Sequence, residues 1–280
     1  MDTLIDAAGL NTRMASGQRT VLLDVRWALG DPEGRSHYLK EHIPGAVYVD
    51  LPSQLADPAD PGRGRHPLPS PARFQDAARA WGICDGDVVV AYDDAGNTSA
   101  ARVWWMLRNA GVRTVYLLDG GLAAWRAAGL PVEAGEVEPA SGDVMLADGG
   151  MAVTDADGAA RWAAAGVLLD ARAAERYRGD VEPVDPRAGH IPGAVSAPTT
   201  ANLDDDGRFL PAEELRKRFG SLGVDAATPV AVYCGSGVTA SHEIAALEIA
   251  GFSAALFPGS FSQWSNDADR PVATGAEPGE

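Results

Sequence analysis

The chain has 280 residues, 46% of them hydrophobic, and a formal net charge of −16 with a pI near 4.6. That length is long for one core and comfortable for two. The surplus of carboxylates, unbroken by any basic block, argues against nucleic acid or an acidic membrane surface as partner.

The N-terminus carries no basic segment followed by a long apolar run. No later stretch approaches the roughly 18 uninterrupted apolar residues of a membrane span, so a cytoplasmic location is expected. Along the chain, Val21 to Arg26 reads as a strand followed by an acid and a base, and His42-Ile43-Pro44-Gly45-Ala46-Val47 as a turn. Val88 to Tyr92, Ser99 to Ala110 and Val112 to Leu118 then alternate strand, helix, strand, the pattern of a parallel sheet covered by helices. Gly111 stops the helix, as Gly251 stops a later one, because glycine accepts the left-handed position after a helix end. The stretch 131–150, with Pro139 and several glycines and acids but no period, reads as connecting chain.

Beyond it the chain is written a second time. Val21 to Arg26 recurs as Val167 to Arg172, and His42 to Val47 as His190 to Val195. Val89 to Asp93 recurs as Val230 to Cys234, and Gly120 to Trp125 as Gly259 to Trp264. Matches in one order at nearly constant offset indicate duplicated domains, and each copy is too large for a solenoid repeat. The division expected is an N-terminal domain over 1–135, a linker over 136–152 and a C-terminal domain over 153–280, with 274–280 frayed.

The two copies differ where a strand hands over to a helix. The second has Tyr233-Cys234-Gly235-Ser236-Gly237-Val238-Thr239, and the first has Asp93 in place of the cysteine. Inward-turned N–H groups of such a loop, with the positive end of the following helix, favour thiolate over thiol. A carboxylate in that place would repel an anion, so the first copy is expected to be inactive, with Asp93 as a helix cap. A structural reading of Cys234, as a small buried hydrophobe at the end of a strand, competes with the nucleophile. A cysteine phosphatase would need an arginine six positions on, where Ala240 stands. Cys84 lies among carboxylates that disfavour its thiolate. His42, His190, Trp125 and Trp264 recur in both copies, which points to structural roles.

Together the duplicated His-Ile-Pro-Gly-Ala units, the Asp-Ala-Arg after the strand, the Cys-Gly-Ser-Gly-Val-Thr loop and Gly259 to Trp264 resemble the two-domain rhodanese family of sulfurtransferases, across nearly the whole chain. The resemblance implies tandem α/β domains, each a parallel sheet covered by helices on both faces. Within the family the loop is similar to the 3-mercaptopyruvate type, since thiosulfate-preferring members usually carry a basic pair where Gly235 and Ser236 stand. It implies that Cys234 takes sulfur from 3-mercaptopyruvate as a persulfide, releases pyruvate, and passes the sulfur to a thiol, thioredoxin or cyanide, with no cofactor.

The loop groups of Gly235, Gly237, Val238 and Thr239 would hold the sulfur, and Ser236 would relay the proton that the enolate needs. Arg176 falls where the family grips the substrate carboxylate, and Arg187 near a second such arginine. His66 falls where animal members have a histidine proposed to assist the serine; the aspartate of that relay maps onto Pro52, with Asp50 and Asp57 nearby in sequence. Ser241 stands where relatives often have a cysteine, so release depends on an external acceptor. No zinc spacing, dinucleotide fingerprint or P-loop is present, and no metal is expected. The alternatives are a thiosulfate sulfurtransferase with the same fold and a persulfide carrier that does not turn over small molecules.

Overall fold

The computed structural model describes residues 3–147 and 149–279. The chain forms two units. The first comprises the chain through Asp57, Pro69–Met151 and Asp204–Phe209; the second comprises Pro58–Leu68, Ala152–Leu203 and the chain from Leu210 onward.

In the first unit the strands β1 (Leu4–Ile5), β2 (Thr20–Asp24), β3 (Val47–Tyr48), β4 (Val88–Tyr92) and β5 (Thr114–Leu118) form one sheet in the order β1-β5-β4-β2-β3, with every pair parallel. Helices α1 (Ala7–Ala15), α2 (Gly34–Lys40), α3 (Leu51–Gln54), α4 (Pro71–Ala80), α5 (Ala100–Asn109) and α6 (Gly121–Ala127) connect them. In the second unit β6 (Val167–Asp170), β7 (Val195–Ser196), β8 (Val230–Tyr233) and β9 (Ala255–Leu256) form a parallel sheet in the order β7-β6-β8-β9. Its helices are α7 (Ala156–Ala165), α8 (Ala174–Arg178), α9 (Ala212–Ser221), α10 (Thr239–Ile249) and α11 (Ser260–Asn266), with a 3₁₀ turn at Thr199–Asn202.

The duplication seen in sequence is repeated bond for bond. Burial on both faces makes the central strands near-continuous apolar runs, as parallel sheets require. One core of the first unit holds Leu22, Ile43, Ala46, Tyr92, Leu122 and Trp125; its counterpart holds Leu168, Ile191, Ala194, Tyr233, Phe261 and Trp264. The Tyr92 hydroxyl accepts from Ile43 N at 3.0 Å, and the Tyr233 hydroxyl from Ile191 N at 3.2 Å. Each repeated histidine is buried and bonds through Nδ1 to a backbone carbonyl, His42 to Tyr38 and His190 to Tyr177, while stacking on that same tyrosine. Each repeated tryptophan donates its indole N–H to a proline carbonyl. The acid and base after the first strand of each copy form a buried ion pair, Asp24 with Arg26 and Asp170 with Arg172.

Gly111 and Gly251 end α5 and α10 at φ near +87° and +88° and close the same pair of carbonyl-capping bonds. The C-terminal segment differs from expectation. Instead of fraying, it lies against the second unit: Gly275 N donates to Arg178 O, and Pro278 O accepts from Gly193 N at 2.7 Å. The backbone donor that Gly193 exposes at its turn is thereby satisfied. Residue 280 lies outside the described residues.

Helix α10 is buried on all sides from Ala240 to Leu247, which is why its sequence shows no amphipathic period. It carries an acid, Glu243, with no exposed surface. Asn202 Nδ2 donates to Glu243 Oε2 at 2.7 Å, while Glu243 Oε1 and Asn202 Oδ1 are both buried without a hydrogen-bond partner among the described residues. Burial pushes the Glu243 carboxyl up to about 7, against the opposing pull of Arg218 and of the hydrogen bonds from Thr199 and Asn202. The folded protein holds the carboxyl proton to about pH 7, whereas the unfolded chain releases it near 4.5. Native protein therefore binds more protons across that window, and stability falls as pH rises through it, by about 3 kcal/mol in all. Glu243→Gln, neutral at every pH, is expected to be more stable than the parent at pH 8 by about 2–3 kcal/mol and equal to it at pH 4.5. Urea unfolding of both proteins at the two pH values tests this; parallel pH profiles would assign the titration to another group.

Candidate active site

Strand β8 lies between β6 and β9, and its C-terminal end delivers Cys234. In open parallel sheets this end, where the strand order reverses, is where ligands bind. Cys234 is 1% exposed and held at three atoms. Its N donates to Ser260 Oγ at 3.1 Å, its O accepts from Phe261 N at 2.9 Å, and its Sγ accepts from Gly237 N at 3.1 Å. The last of these is the kind of bond that stabilises an anionic sulfur. Ser260 sits at φ 52°, a left-handed angle that a side chain resists. At the matching place in the first unit stands Gly121, at φ 55°. The second unit thus accepts backbone strain of roughly 1 kcal/mol at Ser260 and gains the hydroxyl that fixes the cysteine backbone.

The segment 58–68 brings basic residues to this loop. Gly64 has φ +97°, and a β-carbon on it would lie 2.6 Å from the Gly259 carbonyl, so only glycine allows the approach. Next to it Arg65 N donates to Ser262 Oγ at 3.0 Å, and Gln263 Nε2 donates to Gly62 O at 2.7 Å. So anchored, His66 Nδ1 lies 2.7 Å from Ser236 Oγ, two residues past the cysteine. Which of the two atoms donates depends on the imidazole tautomer.

Arg176, on α8, forks onto Glu182 at 2.7 and 3.3 Å and reaches Asp185 at 3.1 Å. Its other terminal nitrogen, Nη1, faces Gly235, 3.4 Å from where a β-carbon would sit. The structure therefore brings together Cys234, Gly235, Ser236, Gly237, His66 and Arg176. Val238 precedes α10 and Thr239 opens it. Arg187 is engaged elsewhere: it donates to the carbonyls of Trp264, Ser265, Asp267 and Arg270, tying the end of α11 to the chain beyond it. Its side chain serves orphan carbonyls of a helix end, a need that no residue spacing announces.

Three residues of the arrangement, Arg65, Glu182 and Asp185, were not singled out by sequence reasoning. Arg65 and Arg176 share the Asp185 carboxylate, and burial pushes the Asp185 carboxyl up while the two guanidinium groups draw it down. Glu182, despite its own burial, is held below the usual carboxylate range by Arg176 and by two backbone N–H groups. Cys84 belongs to the first unit, where its Sγ accepts from Arg19 Nη2 at 3.3 Å.

Residues 6–128 and 155–267 each match the rhodanese-like domain family. The chain belongs to the rhodanese-like family. It is 49% identical over 278 residues, 97% of both chains, to a Mycobacterium tuberculosis protein provisionally named thiosulfate sulfurtransferase SseB. Over 259 residues it is 38% identical to the 3-mercaptopyruvate sulfurtransferase of Escherichia coli, covering 90% of this chain and 91% of the other. The crystal structure of SseA from Escherichia coli, a 3-mercaptopyruvate sulfurtransferase, superposes with a TM-score of 0.81 at 33% identity, covering 93% of this chain and 99% of that one. With tandem rhodanese-like domains and relatives of this identity, the protein is a sulfurtransferase.

The first rhodanese-like domain shows what its loop is built to hold. Asp93, in the place of Cys234, is 1% exposed, and its carboxylate accepts from the N–H groups of Ala95, Asn97, Ser99 and Ala100 at 2.7 to 2.9 Å. Burial pushes its carboxyl up, and the four N–H groups oppose that shift. Asp93→Ala leaves four buried donors without an acceptor and is expected to destabilise the protein by about 3 kcal/mol or more, with Asp93→Asn intermediate. The denaturation midpoint in urea measures both; a loss under about 1 kcal/mol for the alanine variant would mean that other groups satisfy the cradle.

Proposed function

We propose that this rhodanese-like protein takes sulfur from 3-mercaptopyruvate through a persulfide on Cys234. The observation that carries this reading is the 2.7 Å bond between His66 Nδ1 and Ser236 Oγ beside the buried cysteine. Removal of sulfur from 3-mercaptopyruvate leaves the enolate of pyruvate, which must gain a proton; removal from thiosulfate leaves sulfite, which need not. A hydroxyl and an imidazole in contact are what the first reaction calls for.

In the first half-reaction the Cys234 thiolate attacks the sulfur of the donor. An S–S bond forms, the C–S bond breaks, and its electron pair leaves with the enolate. The proton lost by the donor thiol, held by the Ser236–His66 pair, ends on the methyl carbon of pyruvate, and Cys234 carries a persulfide. In the second, a thiol or cyanide attacks the outer sulfur, leaving as a hydropersulfide or thiocyanate and restoring the thiolate. The Gly237 N–H, already on Sγ, supports both anions. Arg176 binds the donor carboxylate with the nitrogen that faces Gly235. The roles of Gly235, Val238 and Thr239 are to keep this loop compact and to present its remaining N–H groups to sulfur.

A thiosulfate donor is the second reading, supported by the name given to the relative from Mycobacterium tuberculosis. The proposed acceptor is a thiol, such as thioredoxin, or cyanide. The proposed site of action is the cytoplasm, with neither nucleic acid nor membrane as partner. Among the described residues no helix is long and apolar enough to cross a membrane.

Steady-state pyruvate formation from 3-mercaptopyruvate, beside thiocyanate formation from thiosulfate with cyanide as acceptor, tests the proposal. Cys234→Ser is expected to abolish both. Ser236→Ala and His66→Gln are expected to lower kcat on 3-mercaptopyruvate by about 10²-fold, in the range of one general acid–base contribution, and to affect thiosulfate far less. Equal losses on both donors would sink the proton-relay reading, and stable persulfide with no turnover of either donor would favour a carrier.

A further inference from the structure

Two guanidinium groups converge on one glycine. A β-carbon on Gly235, the residue after Cys234, would lie 2.8 Å from Arg65 Nη2 and 3.4 Å from Arg176 Nη1. The two arginines come from far apart in sequence and are locked as a pair by Asp185, whose Oδ1 meets Arg65 Nη1 and whose Oδ2 accepts from Arg176 Nη2 at 3.1 Å. Asp185 is 8% exposed, so this is a built arrangement and not a surface ion pair. Arg65 Nε is buried and has no hydrogen-bond acceptor among the described residues, although a buried guanidinium donor ordinarily finds one. Together these features leave Arg65 with Nη2 against the sulfur loop and one buried N–H unanswered.

We infer that Arg65 is a second substrate-binding and specificity-determining residue, gripping the keto and carboxylate end of the donor together with Arg176. The inference rests on 3-mercaptopyruvate as donor. Its chemistry follows from charge and shape. Glu182 and Asp185 already balance Arg65 and Arg176, so the pair does not act as a bare positive trap that would favour the most highly charged anion. What it offers is directional donors in two planes. An α-keto carboxylate presents acceptors in one plane to such a pair, a carboxylate oxygen to Arg176 Nη1 and the keto oxygen to Arg65 Nη2, the two nitrogens that face Gly235. A tetrahedral dianion such as thiosulfate matches neither the planarity nor the charge balance. Gly235 is part of the device, because any side chain there would meet the Arg65 guanidinium.

The test uses the full chain with Arg65→Gln and Arg65→Lys, the lysine keeping a cation for Asp185 should the glutamine variant fold poorly. KM and kcat are measured with 3-mercaptopyruvate and with thiosulfate, and the rate of Cys234 alkylation by iodoacetamide reports the integrity of the loop. Expected are a rise in KM for 3-mercaptopyruvate of at least tenfold in both variants, a kcat/KM loss on thiosulfate at least fivefold smaller, and alkylation rates within twofold of the parent. An unchanged KM for 3-mercaptopyruvate in Arg65→Lys, or equal losses on the two donors, would overturn the role of Arg65. A parent protein that forms thiocyanate from thiosulfate but no pyruvate from 3-mercaptopyruvate would overturn the donor assignment itself, and this inference with it.

Discussion

At the end of each central strand the loop brings backbone N–H to a side-chain acceptor, four such groups in the first unit and Gly237 N in the second, and each half of the chain is organised around what that acceptor is. A parallel strand that runs into a helix through a short loop leaves donors that neither element can satisfy. Burial makes that state costly, so the loop must close on something with electron pairs to give. In the first unit Asp93 fills the role permanently, with four bonds from its own loop. In the second, the Cys234 sulfur takes one bond from Gly237 N. A loop closed on a buried carboxylate and a loop closed on a cysteine sulfur are alternative solutions of one backbone problem.

This constraint accounts for details that would otherwise look unrelated. The Ser260 backbone angle, easy for Gly121 in the first unit, is strained in the second, yet its hydroxyl holds Cys234 N while donating to Phe257 O. Ser262 likewise accepts from Arg65 N and donates to Gly259 O, so the start of α11 fixes both the cysteine and the segment that carries His66. In the first unit the same corner is made by Gly121 and Leu122, with Leu122 N donating to Asp93 O as Phe261 N donates to Cys234 O. The second unit has hydroxyls at these places where the first has glycine or alanine.

Most of the fold was legible because it depends on local pattern and on repetition. Alternating strand and helix, glycine stops and duplicated motifs give two parallel-sheet domains without any long-range information, and the recurrence of His42 and His190 in a copy without cysteine marked them as structural. The placement of Cys234 and Ser236 on one strand-to-helix loop was legible for the same reason, since residues adjacent in sequence make that loop. Legibility ended where a side chain's partner lies elsewhere in the chain. Arg187 stands close to a family position, but its guanidinium answers carbonyls some eighty residues on. Arg65 had no local feature beyond a neighbouring histidine; what places it is the close approach of Gly64 to Gly259, a tertiary contact. The docked tail was missed because its polar, glycine-rich composition is that of a free end, while its hydrogen bonds depend on a turn at Gly193 far upstream.

The charge of the molecule follows the same division between local and global. A net charge of −16 repels anions at long range, and yet the function proposed for the second unit requires it to bind one. The resolution lies in how its arginines are balanced. Arg172, Arg176 and Arg65 are each matched by Asp170, Glu182 or Asp185 within hydrogen-bond reach, so the site adds little to the field of the whole protein. Recognition then depends on donors held in fixed directions over a few ångströms, where shape and acceptor geometry decide more than total charge does. Under the proposed function, a site of this kind selects among anions by their form while the rest of the surface stays acidic.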